Sequence, residues 1–322
     1  MGGEEQSERA RRAVARLLRF YRPGAGLFRR ATGDAWQLVL AVEAVATEYE
    51  RTSDIGYARA LHRWLDRHGG RRSRFYDDDG WYVNAWLRGF EVTGDERFLH
   101  AARAGFADLL SGWDDVCGGG LWWSRDRTYK NAITNELFLL AAARLASTVD
   151  GAREWADRSW RWFEGSGLIN NEQLVNDGLH ECRNNGDTTW TYNQGVLISA
   201  LVTLAGQTDD RSLLATAAGI ARATTTRLAP GGILREPSEP ACDRDQEIFK
   251  GVLAQGLGRL CHADEPGTRD LEAFLRANAD SVWQRARTTD DAFGVSWSEP
   301  SPVTPASHAS ATLLLVEVAS LP

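Results

Sequence analysis

Helical periodicity runs along nearly the whole chain and constrains its fold more than any other feature. Apolar residues recur at three- and four-residue spacing, and runs of strict alternation are scarce. This period is typical of amphipathic α-helices. We therefore predict about twelve helices, near residues 6–21, 35–51, 54–68, 79–93, 95–111, 131–147, 151–164, 192–206, 209–226, 246–261, 267–286 and 307–320.

Connections between these stretches are of two kinds. Some are short turns, whereas residues 112–130, 165–191, 227–245 and 287–306 are long and rich in Gly, Trp, Asn, Asp and Pro. Long loops in a compact helical domain usually carry function. A short turn, a helix and a long loop, repeated along the chain, predict an all-α fold, an (α/α)6 barrel of six helical hairpins. No linker-like tract divides the chain, so we expect a single domain over residues 1–322.

The predicted inner helices of this barrel begin with polar or aromatic residues. Alternate helices would form an inner ring, and the long loops would gather at one end. Helix starts attract Asn, Asp and Ser because these side chains cap the first N–H groups. The starts fall near Trp36, Asp78, Asn131, Tyr192, Glu247 and His308. Capping does not explain Trp36, Gln37, Tyr192, Gln194 or Lys250, so we predict a polar, aromatic-walled cleft at this end.

Three consecutive aspartates, Asp77, Asp78 and Asp79, lie in an aromatic frame at one of these starts. Two neighbouring carboxylates cannot both ionise freely, and one is pushed toward its protonated form. A protonated acid beside an ionised carboxylate is what glycoside cleavage requires. The flanking Tyr76 and Trp81 offer flat faces on which sugar rings can stack. The alternative interpretation is a solvated acidic turn that caps a helix and suits its dipole.

The spacing of the aspartates limits what can be said of the reaction. Neighbouring Cα atoms are about 3.8 Å apart. Adjacent carboxyls can therefore reach the roughly 5 Å separation of retaining glycosidases, but they can also splay wider. Spacing alone leaves open which two of the three aspartates form a pair.

Charge and hydropathy argue against two classes of partner. The net charge is −7 over 322 residues, and Lys and Arg are spread along the chain, which argues against nucleic acid. No apolar run approaches the roughly 20 residues needed to cross a bilayer, so we expect no membrane association. Residues 1–6 are polar and lack the apolar region of a secretory signal. We therefore expect a cytoplasmic protein, or a secreted one if this sequence is a trimmed form.

Metal and cofactor motifs are weak, and we expect neither a metal nor a cofactor. The six His lack the i,i+4 pairing of a zinc helix, and no Cys-x-x-Cys occurs. The glycine-rich run 117–123 lacks the Lys-Ser/Thr end of a phosphate-binding loop. Its Trp122 and Trp123 form either a stacking wall or a structural plug. Cys117 and Cys182 could be spatial neighbours, although free thiols are expected in a reducing compartment.

Five motifs occur in an order that resembles a known family. Together they resemble glycoside hydrolase family 76, the endo-α-1,6-mannanases, from about Trp36 to the final helix. The motifs are Tyr76-Asp77-Asp78-Asp79-Gly80-Trp81, Cys117-Gly118-Gly119-Gly120-Leu121-Trp122-Trp123, Lys130-Asn131-Ala132-Ile133 with Asn135-Glu136-Leu137-Phe138, Tyr192-Asn193-Gln194-Gly195-Val196, and Phe249-Lys250-Gly251.

The resemblance implies retaining hydrolysis of α-1,6-linked mannose on an (α/α)6 barrel. It implies Asp77 as the nucleophile and Asp78 as the acid/base, with Asp79 as a cap. The implied partner is α-mannan, a mannooligosaccharide or a smaller mannoside. Together with the aromatic and helix-start residues above, the substrate-binding candidates are Trp36, Tyr76, Trp81, Trp122, Trp123, Asn131, Asn135, Asp177, Tyr192, Asn193, Gln194 and Lys250.

Two other functions stay open at this point. One is a glycan-binding or transglycosylating protein on the same scaffold, without net hydrolysis. The other is a sugar isomerase or epimerase, since six-hairpin barrels host those as well. The second would depend on histidines as proton carriers. His180 and His308 are the two histidines placed near the mouth, and they could meet there.

Overall fold

The computed structural model describes residues 2–22, 27–28, 36–208, 210–263 and 268–322. Within these ranges the chain forms twelve α-helices. They are α1 (Gly2–Leu17), α2 (Gln37–Thr52), α3 (Ile55–His68), α4 (Tyr76–Thr93), α5 (Glu96–Leu109), α6 (Ala132–Leu145), α7 (Ala152–Gly165), α8 (Thr191–Ala205), α9 (Ser212–Arg227), α10 (Gln246–Cys261), α11 (Thr268–Ser281) and α12 (Pro305–Ser320). None of the helices in the described part of the chain has the length and apolar character that a bilayer span requires.

Strands are short and contribute two small hairpins in the described chain. Strand β1 (Tyr21–Arg22) pairs antiparallel with β2 (Leu27–Phe28). Strand β3 (Leu179–His180) pairs antiparallel with β4 (Arg183–Asn184), with Leu179 opposite Asn184. The second hairpin lies in the long loop between α7 and α8, so it shapes the rim of the barrel rather than its core.

The even-numbered helices form the inner ring that the periodicity predicts. Helix α2 packs on α4, α4 on α6, α6 on α8, α8 on α10, α10 on α12, and α12 closes the ring on α2. Inner helices such as α6 and α8 are buried on nearly all faces. Outer helices such as α3 and α7 bury only one face, as an amphipathic helix does. The (α/α)6 barrel is therefore confirmed.

Inner helices approach closely where glycines face each other. A Cβ added at Gly256 of α10 would overlap the carbonyl oxygen of Gly195 in α8. Any larger residue at this contact would push the two backbones apart. Buried apolar residues from all twelve helices join in one continuous cluster around this ring. The cluster fixes the inner helices and so fixes where their first turns point.

Short turns connect inner to outer helices at the end opposite the mouth. Ser53 and Gly94 end α2 and α4 in the left-handed region, with φ of 56° and 68°. Asp54 and Asp95 then cap α3 and α5 by accepting N–H groups of the next helix. The long loops therefore lie at the other end, where the inner helices begin. This arrangement follows the predicted one.

Helix boundaries differ from the prediction at α1, which spans Gly2–Leu17 rather than 6–21, and at α4. This helix begins at Tyr76, three residues earlier than the predicted start, so the aspartate triplet lies inside its first turn. The N–H of Tyr76 donates to the carbonyl of Trp123 at 2.8 Å, which allows the earlier start without a capping side chain at Phe75. The predicted helix starts at residues 35, 209 and 267 lie outside the described residues.

Candidate active site

Asp77 and Asp78 lie in the first turn of α4, at the end where the long loops gather. Both residues are half-buried. The two carboxyl oxygens of Asp77 each accept one N–H, Oδ2 from Trp123 Nε1 at 2.9 Å and Oδ1 from the backbone of Asp78 at 3.0 Å. Ser73 Oγ donates to Asp78 Oδ2 at 2.7 Å. Each member of the pair is therefore oriented by partners of its own.

The pKa of Asp77 is raised to about 8, first because its carboxyl is removed from water and second because Asp78 lies beside it. The hydrogen bonds from Trp123 and from the backbone act in the opposite direction. Two close carboxyls of which one has a raised pKa hold a single proton between them near neutral pH. The pair can thus supply an acid and a carboxylate at the same time.

Asp79 is engaged elsewhere. Its oxygens accept the backbone N–H of Ser73 at 2.7 Å and Arg125 Nη2 at 2.7 Å. Arg125 also pairs with Asp108 at 2.5 Å and lies over the ring of Tyr76. Burial raises the pKa of Asp79 to about 6, while the bonds from Ser73 and Arg125 lower it. Asp79 therefore ties the loop before α4 to the helix, a role close to the predicted cap.

Aromatic side chains at the starts of four inner helices stack together. Trp36 and Trp81 are stacked with ring centres 5.2 Å apart, and Tyr192 and Phe249 with centres 3.8 Å apart. Trp36 also contacts Tyr192 at 6.4 Å and Phe249 at 6.2 Å, which joins the two pairs. We call these four residues the aromatic floor. Trp36 is its most exposed member, so it stays the candidate of this group for stacking on a ligand.

Trp122 and Trp123 point to opposite sides of the loop between α5 and α6. Trp123 donates its indole N–H to Asp77. Trp122 donates to Asp114 Oδ2 at 2.6 Å, and Lys130 Nζ lies 4.7 Å from its ring centre. Successive side chains of an extended segment alternate in direction, which explains the split. Stacking of Trp122 on sugar stays a prediction, because its loop partners fix the position of a ring that is only half-buried.

Asp177 reaches the mouth from the loop between α7 and α8. Its backbone carbonyl accepts the N–H of Ala132 at 2.8 Å, so the loop is docked on the first turn of α6. The hydroxyl of Tyr129 donates to the carboxylate of Asp177. Burial raises the pKa of Asp177, and the bond from Tyr129 lowers it. Asp177 is thus a half-buried acid at the predicted end of the barrel.

Glu136 lies one turn further along α6 than the Asp177 docking point. Its side chain is fully buried, and neither carboxyl oxygen has a hydrogen-bond partner within the described chain. Burial, followed by the charge of Asp177, raises the pKa of Glu136 well above its ordinary value, which favours its protonated form. Burial also raises the pKa of Tyr192, with further contributions from the charges of Asp177, Asp77 and Glu136. These acids therefore lie around the phenol of Tyr192.

Two amides predicted to contact sugar hydroxyls hold loop backbone instead. Asn135 of α6 accepts the N–H of Leu121 at 2.7 Å and donates to its carbonyl at 3.1 Å. Gln194 of α8 accepts the N–H of Val175 at 2.8 Å and donates to its carbonyl at 2.9 Å. Both side chains are fully buried. Their assignment as sugar ligands is corrected, because their polar atoms are already used by the loops.

Tyr76 and Lys250 are also corrected. Tyr76 is only 3% exposed, and its hydroxyl lies 3.2 Å from Ser111 Oγ, so it is a core residue rather than a stacking face. Lys250 is 1% exposed and pairs with Glu239 while donating to the carbonyl of Val295 at 2.6 Å. A buried ammonium needs such partners, and these leave no free face of Lys250 for a sugar.

Asn131 and Asn193 have different surroundings. Asn131 is the N-cap of α6 and accepts the N–H of Thr134 at 3.4 Å, which is the capping use that its residue type allows. Asn193 is fully buried in α8, and neither amide atom has a partner within the described residues. A buried amide without partners is costly. Asn193 therefore stays a candidate for contact with a ligand or water.

Cys117 and Cys182 form a disulfide. The bond joins the glycine-rich loop between α5 and α6 to the turn of the β3–β4 hairpin, so it links two of the long loops at the mouth. The predicted proximity of the two cysteines is confirmed. Cys242 and Cys261 are free.

The histidines do not form a proton-carrying pair. His308 is fully buried, its Nε2 lies 3.1 Å from the carbonyl of Ala13, and burial lowers its pKa to about 3. His180 is exposed in β3. A neutral histidine packed against α1 is poorly placed to carry protons at the mouth. No group of three or more His, Cys, Asp or Glu suited to a metal ion occurs in the part of the chain that the structure describes.

Comparison with known sequences gives a match over most of the chain. Residues 32–318 match the profile of glycosyl hydrolase family 76. The chain belongs to this family. A putative mannan endo-1,6-α-mannosidase of Schizosaccharomyces pombe is 33% identical over 228 residues, which are 64% of this chain and 52% of that protein. The mannan endo-1,6-α-mannosidase DFG5 of Candida albicans is 28% identical over 230 residues, 64% of this chain and 51% of that protein.

This family 76 chain thus spans about half the length of the named relatives it matches. Solved structures match over nearly the whole chain. An inactive variant of the α-1,6-mannanase GH76A of Salegentibacter sp. HEL1_6, with two consecutive aspartates replaced by asparagine and α-1,6-mannotriose bound, has a TM-score of 0.90 at 25% identity. The alignment covers 98% of this chain and 100% of that one. The Lin0763 protein of Listeria innocua has a TM-score of 0.86 at 25% identity, covering 98% and 97%.

Several residues of this family 76 site were not predicted from the sequence. Phe249 lies in the motif Phe249-Lys250-Gly251, in which the charged Lys250 was the predicted ligand. Tyr129 likewise precedes the motif that starts at Lys130. A helical-wheel reading of α10 would have separated Phe249 from Lys250, since they face about 100° apart. Glu136 also lies in one of the five motifs, but its isolation could not be predicted because it depends on what other helices fail to supply.

Proposed function

We propose that this protein is a retaining glycoside hydrolase of α-1,6-linked mannosides, with Asp77 as nucleophile and Asp78 as general acid and base. The observation that carries the proposal is the adjacent carboxyl pair at the mouth of the barrel, in which burial and the charge of Asp78 raise the pKa of Asp77. The 25% identical α-1,6-mannanase supports it, because an inactive variant of that enzyme carries changes at two consecutive aspartates.

The hydrogen bonds to Asp77 favour its ionised form. Both oxygens of Asp77 accept an N–H, and such bonds stabilise a carboxylate. Asp78 has a hydroxyl partner, Ser73. The charge of Asp78 is one cause of the raised pKa of Asp77. When the shared proton sits on Asp78, that charge is absent, so Asp77 is ionised more easily. Ionised Asp77 beside protonated Asp78 is the reactive form that we propose.

The proposed reaction has two displacements. In the first, a carboxylate oxygen of Asp77 attacks the anomeric carbon, the bond to the leaving oxygen breaks, and Asp78 gives its proton to that oxygen. In the second, ionised Asp78 takes a proton from water, the hydroxide oxygen bonds to the anomeric carbon, and the ester to Asp77 breaks. Configuration is retained, and the pair returns to its starting protonation.

The surroundings of the pair suit a neutral sugar. The aromatic floor offers the partly exposed ring of Trp36, and the half-buried Asp177 can accept hydrogen bonds from sugar hydroxyls. Trp123 binds Asp77 from the opposite loop. We infer that mannose, as part of α-mannan, a mannooligosaccharide or a smaller mannoside, occupies the space between these groups.

The disulfide bears on where this reaction takes place. Disulfides persist in oxidising compartments and are rare in the cytoplasm. The Cys117–Cys182 bond therefore favours an extracytoplasmic location, the alternative to the cytoplasmic one expected from the sequence. Titration of free thiols in protein isolated without reductant tests this, with two thiols per chain expected and four if the bond does not form.

Product analysis on α-1,6-mannotriose and α-1,6-mannan tests the activity. The wild-type protein should release new reducing ends, and proton NMR should show the α-anomer first. Asp77→Asn and Asp78→Asn should each remove most of this activity, whereas Asp126→Asn, an exposed neighbour in the adjacent loop, should keep it. Binding without cleavage by the wild-type protein would instead support a glycan-binding role, and longer products would support transglycosylation.

Azide distinguishes the roles of the two aspartates. With an activated aryl mannoside, Asp78→Ala should form α-mannosyl azide, because the glycosyl-enzyme still forms and azide replaces water. Asp77→Ala should form β-mannosyl azide by a single displacement. The reverse pattern would exchange the two assignments while leaving the hydrolase in place.

A further inference from the structure

A second concave surface lies at the mouth end of the barrel, apart from the aspartate pair. A cavity of about 440 Å³ separates the loop joining α9 to α10 from the loop joining α11 to α12. Lys250 of α10 pairs with Glu239 in one wall and donates to Val295 in the other. Its neighbour Phe249 belongs to the aromatic floor. The cavity and the candidate active site therefore flank the first turn of the same helix.

Buried side chains of the barrel hold both walls of this cavity. Asn278 of α11 accepts the N–H of Leu234 at 2.8 Å and donates to the carbonyl of Gly232 at 3.1 Å. Ser281 donates to the carbonyl of Trp297 in the opposite wall at 2.8 Å. Asn278 is fully buried. A cavity whose walls are fastened in this way is preformed, as ligand sites usually are.

The lining of the cavity combines donors, acceptors and one aromatic ring. Arg285 and Glu299 are exposed at its edge, and Ser298 adds a hydroxyl. Trp297 is 2% exposed, and its indole N–H is buried without a hydrogen-bond partner in the described chain. Two arginines and two glutamates line the cavity in all. Because these charges balance, the lining does not favour a phosphate or another anion.

We propose that this cavity is a second oligosaccharide-binding site, which holds a segment of the glycan away from the bond that is cleaved. Neutral polyols match a lining of mixed donors and acceptors with little net charge. The volume falls within the range of sites that bury a small ligand. The identity of the sugar as a mannooligosaccharide rests on the proposed function, whereas the existence of the site rests on the cavity alone.

Calorimetry with α-1,6-mannotetraose tests the site in full-length protein. The Asp77→Asn/Asp78→Asn double variant should bind the sugar at two sites. Adding Arg285→Ala or Ser298→Trp, the latter to fill the cavity, should remove one of them. Arg103→Ala, an exposed arginine on outer helix α5, should change neither. In the active protein, Arg285→Ala should raise KM for long mannan about tenfold, the loss of roughly one charge-assisted hydrogen bond. Both kcat and the KM for mannotriose should stay unchanged.

Three results would overturn the second site. They are a single binding event in the double variant that Arg285→Ala leaves unchanged, two events that survive Ser298→Trp, or displacement of the sugar by inorganic phosphate. Failure of the proposed function gives a different pattern. Wild-type protein would then bind the sugar at the cavity, sensitive to Arg285→Ala, while releasing no reducing ends. Circular dichroism and thermal melts of each variant establish that loss of binding is not loss of fold.

Discussion

Replacing Glu136 with Met should stabilise the protein, and the gain should grow with pH. The carboxyl group of Glu136 is fully buried, and its oxygens have no hydrogen-bond partner in the described chain. Leaving a buried polar group unpaired costs about 1–3 kcal/mol. Met has a similar length, no hydrogen-bonding requirement and a flexible shape. We therefore expect the Glu136→Met protein to be about 1–3 kcal/mol more stable where Glu is protonated in both states.

The pH dependence follows from the raised pKa of Glu136, caused first by burial and then by the charge of Asp177. When the pKa of a group is higher in the folded than in the unfolded state, its contribution to the free energy of unfolding is fully present below the unfolded-state pKa. That contribution is lost as pH rises. Above the ordinary carboxyl pKa, the unfolded chain releases a proton that the folded protein keeps. The wild-type protein then loses up to about 1.4 kcal/mol per pH unit relative to Glu136→Met.

Urea unfolding followed by tryptophan fluorescence measures both effects. Curves at about pH 5 and about pH 8 should show a wider gap between wild type and Glu136→Met at the higher pH. Glu136→Gln is neutral but still polar. Like Glu136→Met it should lose the pH dependence of stability, but it should gain less stability than Glu136→Met. Glu154→Gln, at an exposed position of α7, should do neither. An equal gap at both pH values would refute the reasoning, because it would mean that Glu136 ionises in the folded protein.

Three further substitutions probe the site and its supports. Asn135→Ala leaves the backbone partners of its side chain unpaired, so the free energy of unfolding should fall by about 2–5 kcal/mol in urea titrations. A loss below the error of the method would contradict the role of Asn135 in holding the loop backbone. Trp123→Phe removes a bond that lowers the pKa of Asp77, so the acidic limb of the kcat/KM profile should move to higher pH, and an unmoved limb would count against Asp77 as its origin. Cys117→Ser opens the bond to Cys182, 65 residues away, and should cost on the order of 4 kcal/mol of stability; equal melting temperatures would argue that the bond is absent.

The fold could be predicted because its signals are local. Helical period and loop length identify hairpins without knowledge of what packs on what, and twelve helices follow in the described chain. The start of α4 was misplaced because an aspartate triplet looks like a cap. The helix begins earlier because the carbonyl of Trp123 receives the N–H of Tyr76, a partner 47 residues further along that no local pattern reveals.

The site could be predicted only where residue type decides the chemistry. Adjacent acids such as Asp77 and Asp78 are unusual enough to be recognised by themselves. The role of an amide is different, because Asn135 could face a sugar or a loop, and the choice depends on where Leu121 runs. Glu136 is the extreme case, since its chemistry comes from the absence of hydrogen-bond partners among the described residues. Such absences become visible only when every neighbouring helix is in place.

The buried side chains of Asn135, Gln194 and Asn278 hold the loops through hydrogen bonds to main-chain atoms only. Main-chain groups are alike in nearly every amino acid, so these hydrogen bonds do not depend on which side chains the loops carry. The path of these loops at the rim of the barrel therefore depends little on the loop sequence. Mutations can change the exposed side chains of these loops while the buried amides keep the loop backbone in place. Barrels of this kind can acquire new substrate preferences in this way.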